Sequence, residues 1–286
     1  MAVSIRRRTW VQRVGFASLA LATVLTIIPI VLVVGIILIR GASAINLEFL
    51  TAMPSDGMKA GGIMPAIVGT FLLALGTAIF SVPFGIGAAI YLAEYASENR
   101  WTRAIRIAII NLAGIPSIVY GLFGLGLFVL FLQFGTSIVA GALTLAIMTL
   151  PVIISTAEEA IRSVPQSFRA VSISLGGTQW QTIRRIVLPQ ALPGILTGVI
   201  LGLERAVGET AVILFTAAAF FLPSLPNSPF DATMALPYHL FVISTQVPGM
   251  PIQIQYGTAA VLLIFVLIMN LIATVIRSRA RARRQW

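Results

Sequence analysis

The chain has 286 residues, of which 58% are hydrophobic and 10% charged, and its mean hydropathy is +0.99. Soluble domains carry about 25% charged residues, so a water-soluble domain is excluded and lipid is the natural solvent of most of this sequence. With no cysteine and a single histidine, His239, the chain excludes disulfides, thiol nucleophiles, thiolate metal sites and multi-histidine metal centres together.

The formal net charge of +10 does not point to nucleic acid, because the basic residues sit at the ends of apolar blocks and not on one soluble face. Six apolar segments, 14–39, 64–91, 105–132, 137–161, 191–219 and 256–276, reach the roughly 20 residues that a helix needs to cross a bilayer. The expected fold is an all-α integral membrane protein with six transmembrane helices. Residues 1–13 form a tail, 14–63 the first transmembrane helix and an outer loop, 64–276 the main transmembrane domain, and 277–286 a basic tail.

Arg6, Arg7, Arg8 and Arg13 precede the first span. Ala42-Ser43-Ala44 after it imitates a signal-peptidase site, but a signal-peptide core is roughly 7–15 apolar residues, and this run is of full spanning length, so it is expected to be retained. Arg100, Arg103 and Arg106 lie between the second and third spans, and Arg162, Arg169, Arg184 and Arg185 between the fourth and fifth. Arg277, Arg279, Arg281, Arg283 and Arg284 follow the sixth. The intervening loops hold only Arg40 and Lys59, or no basic residue. By the positive-inside rule both termini are cytoplasmic.

In the third span Gly114, Ser117, Gly121 and Gly124 form a small-residue stripe, and Pro116 frees backbone groups that a neighbour or a cavity must satisfy. Pro116, Ser117 and Gly121, with Gly202 of the fifth span, are read as pathway-lining or packing positions. The loop at 163–189 parses into two short helices. Ser163 is expected to cap the first, with Pro165 in its first turn, and Gly176-Gly177 to end it through a left-handed cap. Thr178 and Gln181 have capping-box spacing for the second, and Pro189 ends that helix or marks the membrane entry. The result is an ordered helix, corner, helix presenting Phe168, Leu175 and Trp180 to a docking partner. An amphipathic loop lying on the membrane surface is the other reading of the same residues.

The fifth span carries charge at membrane depth: Glu204, Arg205 and Glu209, followed by Thr210. An ionised group there costs about 2.5–3.5 kcal/mol on insertion scales. Arg205 and Glu209 are four apart and share a helix face, which supplies an ion-pair partner, whereas Glu204 points about 100° away. Gly194, Gly198, Gly202 and Ala206 form a second small stripe on this helix. The outer loop 220–255 holds Pro223, Pro226, Pro229, Pro237, Pro248 and Pro251, which argues for a stiff extended surface without a regular helix. His239 in that loop, beside Tyr238, is read as a headgroup-level polar residue.

Gly176 followed by Ile186-Val187-Leu188-Pro189 resembles the "EAA…G…I-LP" signature of binding-protein-dependent importer permeases. Ala170 stands where that family usually has glutamate. The segment Arg205-Ala-Val-Gly208-Glu209-Thr210-Ala211 resembles the "RA-GETA" segment of phosphate-specific permeases, and Asn111 to Gly121 is similar to a second segment of the same proteins. Phe221-Leu-Pro-Ser-Leu-Pro and Leu236-Pro-Tyr resemble the A-type subunit of that system. The resemblance implies a type I ABC importer transmembrane domain whose coupling helix engages an ATPase through Phe168, Ala170, Leu175, Gly176, Gly177, Trp180 and Pro189. It also implies a heterodimer with a C-type permease, two ATPase copies and a periplasmic phosphate-binding protein. Substrate translocation would fall to Arg205, Glu209, Glu204 and Thr210. No cofactor is expected in this chain: a P-loop needs Gly-Lys-Ser/Thr, and the only lysine, Lys59, stands between Met58 and Ala60. ATP and Mg²⁺ would be bound by the ATPase. A permease for another oxyanion or small solute is the nearest alternative, and a secondary transporter the alternative from a different class.

Overall fold

The computed structural model describes residues 2–282, with side chains for 9–10 and 12–279. The side chains of Arg6, Arg7, Arg8 and Arg281, and Arg283 and Arg284 altogether, lie outside the described residues. Helix α1 spans Ala2–Gly41, and the apolar middle of its stretch Gln12–Gly41 is not buried by the rest of the chain. It touches the body near its end, where Gly41 lies against the Tyr256 carbonyl and the Arg40 guanidinium rests 5.4 Å from the Tyr256 ring centre. A short α2, Leu47–Thr51, is capped by Asn46, whose Oδ1 accepts from the Phe49 N–H at 2.7 Å. A two-stranded antiparallel hairpin, β1 Pro54–Ser55 and β2 Ala60–Gly61, closes the segment.

Helix α3, Met64–Ile90, runs into a π turn at Tyr91–Tyr95. The third apolar segment departs from expectation. It is not one continuous helix but α4, Arg100–Ala113, and α5, Ser117–Gly124, bent by 101° at Gly114-Ile115-Pro116, with α5 continued by a π turn at Leu125–Phe131. Proline cannot donate to the helical ladder and the residue before it is pushed out of the α region, so the chain stops there. The Tyr120 hydroxyl donates back across the bend to the Leu112 carbonyl at 2.8 Å, and buried Tyr120 holds the corner. The fold thus has five unbroken helices long and apolar enough to cross a membrane among the described residues, and a sixth only when the bent pair counts as one.

Helix α6, Ile138–Arg162, is the most enclosed of these spans. It leads into α7, Gln166–Ser174, and α8, Gln179–Thr182, and a π turn at Ile183–Val187 joins α8 to α9, Leu188–Val207. Then come α10, Ala211–Thr216, α11, Leu236–Thr245, and α12, Ile252–Ala282. Helix α6 is the axis on which α3 and α9 pack. Because lipid tails are as apolar as leucine, the drive for this packing is close van der Waals contact between small surfaces. The α9 stripe supplies it: a Cβ added at Gly194, Gly198 or Gly202 would lie 2.5 Å from Ala160 Cβ, 2.8 Å from Thr156 Cβ and 2.9 Å from Ile153 Cγ1, respectively. Gly202 is therefore a packing residue. So is Gly121, which lies against the Ala211 carbonyl of α10 at 2.9 Å on the same measure.

The loop 220–255 also differs from expectation, since α11 forms inside it. Pro237 falls in the first turn of α11, where its missing N–H costs nothing, and the other prolines lie outside the helix. Helix α11 turns Leu236, Pro237, His239, Val242 and Ile243 inward, so His239 does not present its ring to headgroups: it is 2% exposed and its Nδ1 has no hydrogen-bond partner. Burial pushes this imidazole down from 6.5 to about 4. The unfolded chain takes up its proton near 6.5 and the folded one near 4, so this stabilisation is complete above 6.5 and is lost as pH falls toward 4, roughly 3 kcal/mol between the limits. In detergent, the wild-type melting temperature should therefore fall more steeply on acidification than that of His239→Phe. Parallel curves would contradict the assignment.

Candidate functional site

The loop between α6 and α9 is a locked corner. The Gly177 N–H donates to the Ser172 carbonyl at 3.0 Å and the Gly176 N–H to the Ile173 carbonyl at 2.9 Å, the paired bonds of a Schellman cap. This cap requires Gly176 at φ +84°, a conformation that glycine adopts without Cβ strain. The expected capping box is present: Thr178 Oγ1 accepts from the Gln181 N–H at 3.2 Å and Gln181 Oε1 from the Thr178 N–H at 2.9 Å. The Ser172 and Thr182 hydroxyls, 2.7 Å apart, fasten α7 to the next helix.

Two details change. Ser163 does not cap α7; it is the C-cap residue of α6, its hydroxyl donates to the Ala160 carbonyl at 2.8 Å, and Pro165 occupies the N-cap of α7. Pro189 does not end a helix, because the path from Gln179 to Val207 is continuous. The π turn before it widens the backbone, the Leu188 N–H reaching back to the Ile183 carbonyl, which makes room for the proline ring.

The corner displays an apolar surface. Leu175 is 84% exposed and Trp180 51%, with Ala170, Val171, Ile173 and Gly176 also exposed and Phe168 and Gly177 half-buried. Exposed large apolar side chains on a backbone held by two caps form a ready-made interaction surface.

Charged side chains that were read from the sequence only as topology markers hold this corner to the spans. Arg169, largely buried, donates from Nη2 to Glu94 Oε1 at 2.6 Å. Arg106 and Arg162 share two carboxylates: Glu158 Oε1 accepts from Arg106 Nε at 2.8 Å and Arg162 Nε at 3.0 Å, and Glu98 Oε1 from Arg106 Nη1 and Arg162 Nη2, each at 3.0 Å. Hydrogen bonds from Arg162, then Arg106, hold the Glu98 carboxyl below the usual carboxylate range. The one local signal for this cluster is the four-residue spacing of Glu158 and Arg162.

The charged stretch after α9 is rearranged relative to expectation. The helix stops at Gly208 and resumes at Ala211, so Glu209 and Thr210 lie on a break. Arg205 and Glu209 make no ion pair within 4 Å; Glu209 Oε1 instead accepts from the Ala211 N–H at 3.1 Å, capping α10. Arg205, half-buried in the last turn of α9, has no carboxylate partner within 4 Å among the described residues. Glu204 turns toward α12, into a cleft shared with Asn270, Ile200 and Leu203. The three charges therefore diverge, while Tyr120 at the α4–α5 bend packs in one cluster with Ala206, Val212 and Ile213 on either side of the α9–α10 break, and Pro116 and Ser117 stay at the start of α5. Among the described residues no group of three or more His, Asp or Glu is placed to hold a metal.

The family described as "Binding-protein-dependent transport system inner membrane component" matches residues 81–284, from within α3 through the α7–α8 corner to the last helix and beyond. The chain belongs to this family. A relative in Bacillus subtilis, described as probable ABC transporter permease protein YqgI, is 36% identical over 250 residues, covering 83% of this chain and 85% of its own length. The phosphate transport system permease protein PstA 1 of Mycobacterium tuberculosis is 36% identical over 267 residues, covering 92% of this chain and 86% of its own. A solved chain of a bacterial ABC transporter involved in the import of the acidic polysaccharide alginate superposes with TM-score 0.65 at 16% identity, over 95% of this chain and 99% of the other. A chain of the MetNI methionine ABC transporter in an inward-facing conformation gives 0.61 at 17% identity, over 79% of this chain and 99% of the other. At these identities the likeness is one of fold, that of type I ABC importer transmembrane subunits. As a member of this permease family the protein is a multi-pass inner-membrane component.

Proposed function

We propose that this protein is the permease subunit of an ATP-driven importer that moves inorganic phosphate across the bacterial inner membrane. A periplasmic phosphate-binding protein delivers the substrate, and two copies of a separate ATPase, which hold ATP and Mg²⁺, drive it. A second, C-type permease completes the pathway, and both termini face the cytoplasm. Phosphate is supported by the substrate named for the PstA relatives. The partners and orientation are supported by the family signature and by the arginine groups at alternate loops.

The observation that carries the reading is the α7–α8 corner. Its backbone is closed by two caps while Leu175, Ile173, Val171 and Trp180 stand exposed at the arginine-rich end. Leu175→Asp places a charge at the centre of that apolar contact without touching the cap bonds. The ATPase should no longer co-purify with the permease, and uptake should be lost, while the permease still accumulates in the membrane. An ATPase retained at wild-type levels by Leu175→Asp would remove the corner from the interface.

At the other end of the mechanism, Arg205 offers a guanidinium fork without a carboxylate partner in this conformation. Its planar donors match paired oxygens of an oxyanion. Phosphate arriving at the α9–α10 break would meet this half-buried charge, whose attraction exceeds that of a fully hydrated one. A secondary transporter is disfavoured, since it would leave the capped corner without a role.

A further inference from the structure

We infer that Glu94 is a positioning residue for transport: the π turn at the end of α3 grips the coupling corner through this side chain, so that α3 moves with the corner. The inference rests on the importer reading above.

Helix α7 has no fully buried side chain. Directed polar bonds therefore contribute much of its attachment to the spans, and several of them meet at five residues, Tyr91–Tyr95. The Glu94 carboxylate accepts from Arg169 Nη2 at 2.6 Å and Nε at 3.2 Å, a forked contact with side-chain exposures of 8% and 12%. The same guanidinium donates to the Val164 and Ile161 carbonyls, so it is held on the α6 side as well. The Glu94 carbonyl accepts from Gln179 Nε2 at 2.9 Å, which brings in α8.

The π geometry supplies the remaining acceptor. In an α-helix the Ala96 N–H would occupy the Leu92 carbonyl; here it bonds to Tyr91 O at 2.8 Å. The freed Leu92 carbonyl accepts from Arg106 Nη2 at 3.0 Å and Arg162 Nη2 at 3.2 Å. One turn of α3 is thereby tied to α4, α6, α7 and α8. A displacement of the corner is carried into α3 by the Glu94–Arg169 fork, and Arg106 and Arg162 link α4 and α6 to the same turn. Sequence separations of 75 and 85 residues for the Glu94 contacts show that these ties belong to the tertiary fold and not to local helix chemistry.

The test uses the full complex of both permeases, ATPase and binding protein, reconstituted in vesicles, with phosphate moved per ATP hydrolysed as the readout. Glu94→Gln keeps the shape of the side chain and removes its charge. The ATPase should still co-purify and hydrolyse ATP, while phosphate moved per ATP falls about tenfold. Glu94→Asp, which keeps the charge, should retain much of the ratio. An unchanged ratio in Glu94→Gln overturns the inference. So does loss of assembly in Glu94→Gln and Glu94→Asp alike, which would make the pair a folding element only. A wild-type complex that moves no phosphate overturns the importer reading itself, and this inference with it, and is distinguished from the other outcomes by the wild-type measurement alone.

Discussion

Replacing Arg205 by glutamine should reduce phosphate uptake by roughly 10- to 100-fold, the worth of a lost charge-assisted bidentate contact, without lowering the melting temperature of the permease. The two halves of this expectation follow from one observation. Arg205 lies half-buried in the last turn of α9 and has no ion-pair partner within 4 Å among the described residues. Had it been paired with Glu209, removing the guanidinium would strand a buried carboxylate at a cost of about 3–5 kcal/mol. Glu209 is instead engaged with the Ala211 N–H, so nothing is stranded. Uptake and thermal stability thus separate the two roles: a functional cation loses transport at constant or higher stability, and a packing cation loses stability first. Arg205→Lys keeps the charge but not the fork, and should fall between wild type and Arg205→Gln. Wild-type uptake by Arg205→Gln would refute its role in translocation.

Gly69→Val should destabilise the permease by roughly 2–4 kcal/mol through overpacking and a lost hydrogen bond. A Cβ at Gly69 would run into the Met234 carbonyl and the Thr233 hydroxyl, and the first of these is backbone that cannot rotate away. The neighbouring Thr70 Oγ1 accepts from the Leu236 N–H at 2.8 Å. Residues 233–236 are thus strapped to one turn of α3, and a displaced strap would also shift α11 and its buried face. The effect should appear as a lower melting temperature and a smaller monodisperse fraction in detergent. Gly87→Ala is the matched control, because nothing lies within 4 Å of a Cβ built there, and a glycine-to-alanine change inside a helix should be neutral or stabilising by about 0.5–1 kcal/mol. Equal stability of Gly69→Val and the control would refute the close approach.

Features legible in the sequence were those whose physics is local. The Thr178–Gln181 box and the Gly176 cap involve residues within five positions of one another, so spacing alone specifies their hydrogen bonds. The apolar stretches were set by composition over a window, and the α9 glycine stripe by helical periodicity. The errors arose where a helix was assumed to continue. Gly208 and Pro116 are compatible with either a kink or a stop; the Tyr120 bond to Leu112 and the Glu209 cap on α10 belong to the stopped forms that the structure adopts. Six prolines in 220–255 read as a bar to helix, yet only Pro237 falls inside α11, at a position where proline is tolerated.

By itself, then, the sequence determined that the chain lives in lipid, where α7 ends and α8 begins through the Gly176 cap and the Thr178–Gln181 box, and that the α6–α9 connection is an ordered corner. Only the tertiary structure decided which charges meet. Glu94 and Arg169 stand 75 residues apart and Arg106 and Glu158 stand 52 apart, and no spacing rule reaches across such distances. Arg205 and Glu209, four apart and paired by the simplest helical rule, are separated because the helix between them ends. A short-range rule holds only while the backbone that carries it continues, and that continuity is settled by what the rest of the fold packs against it.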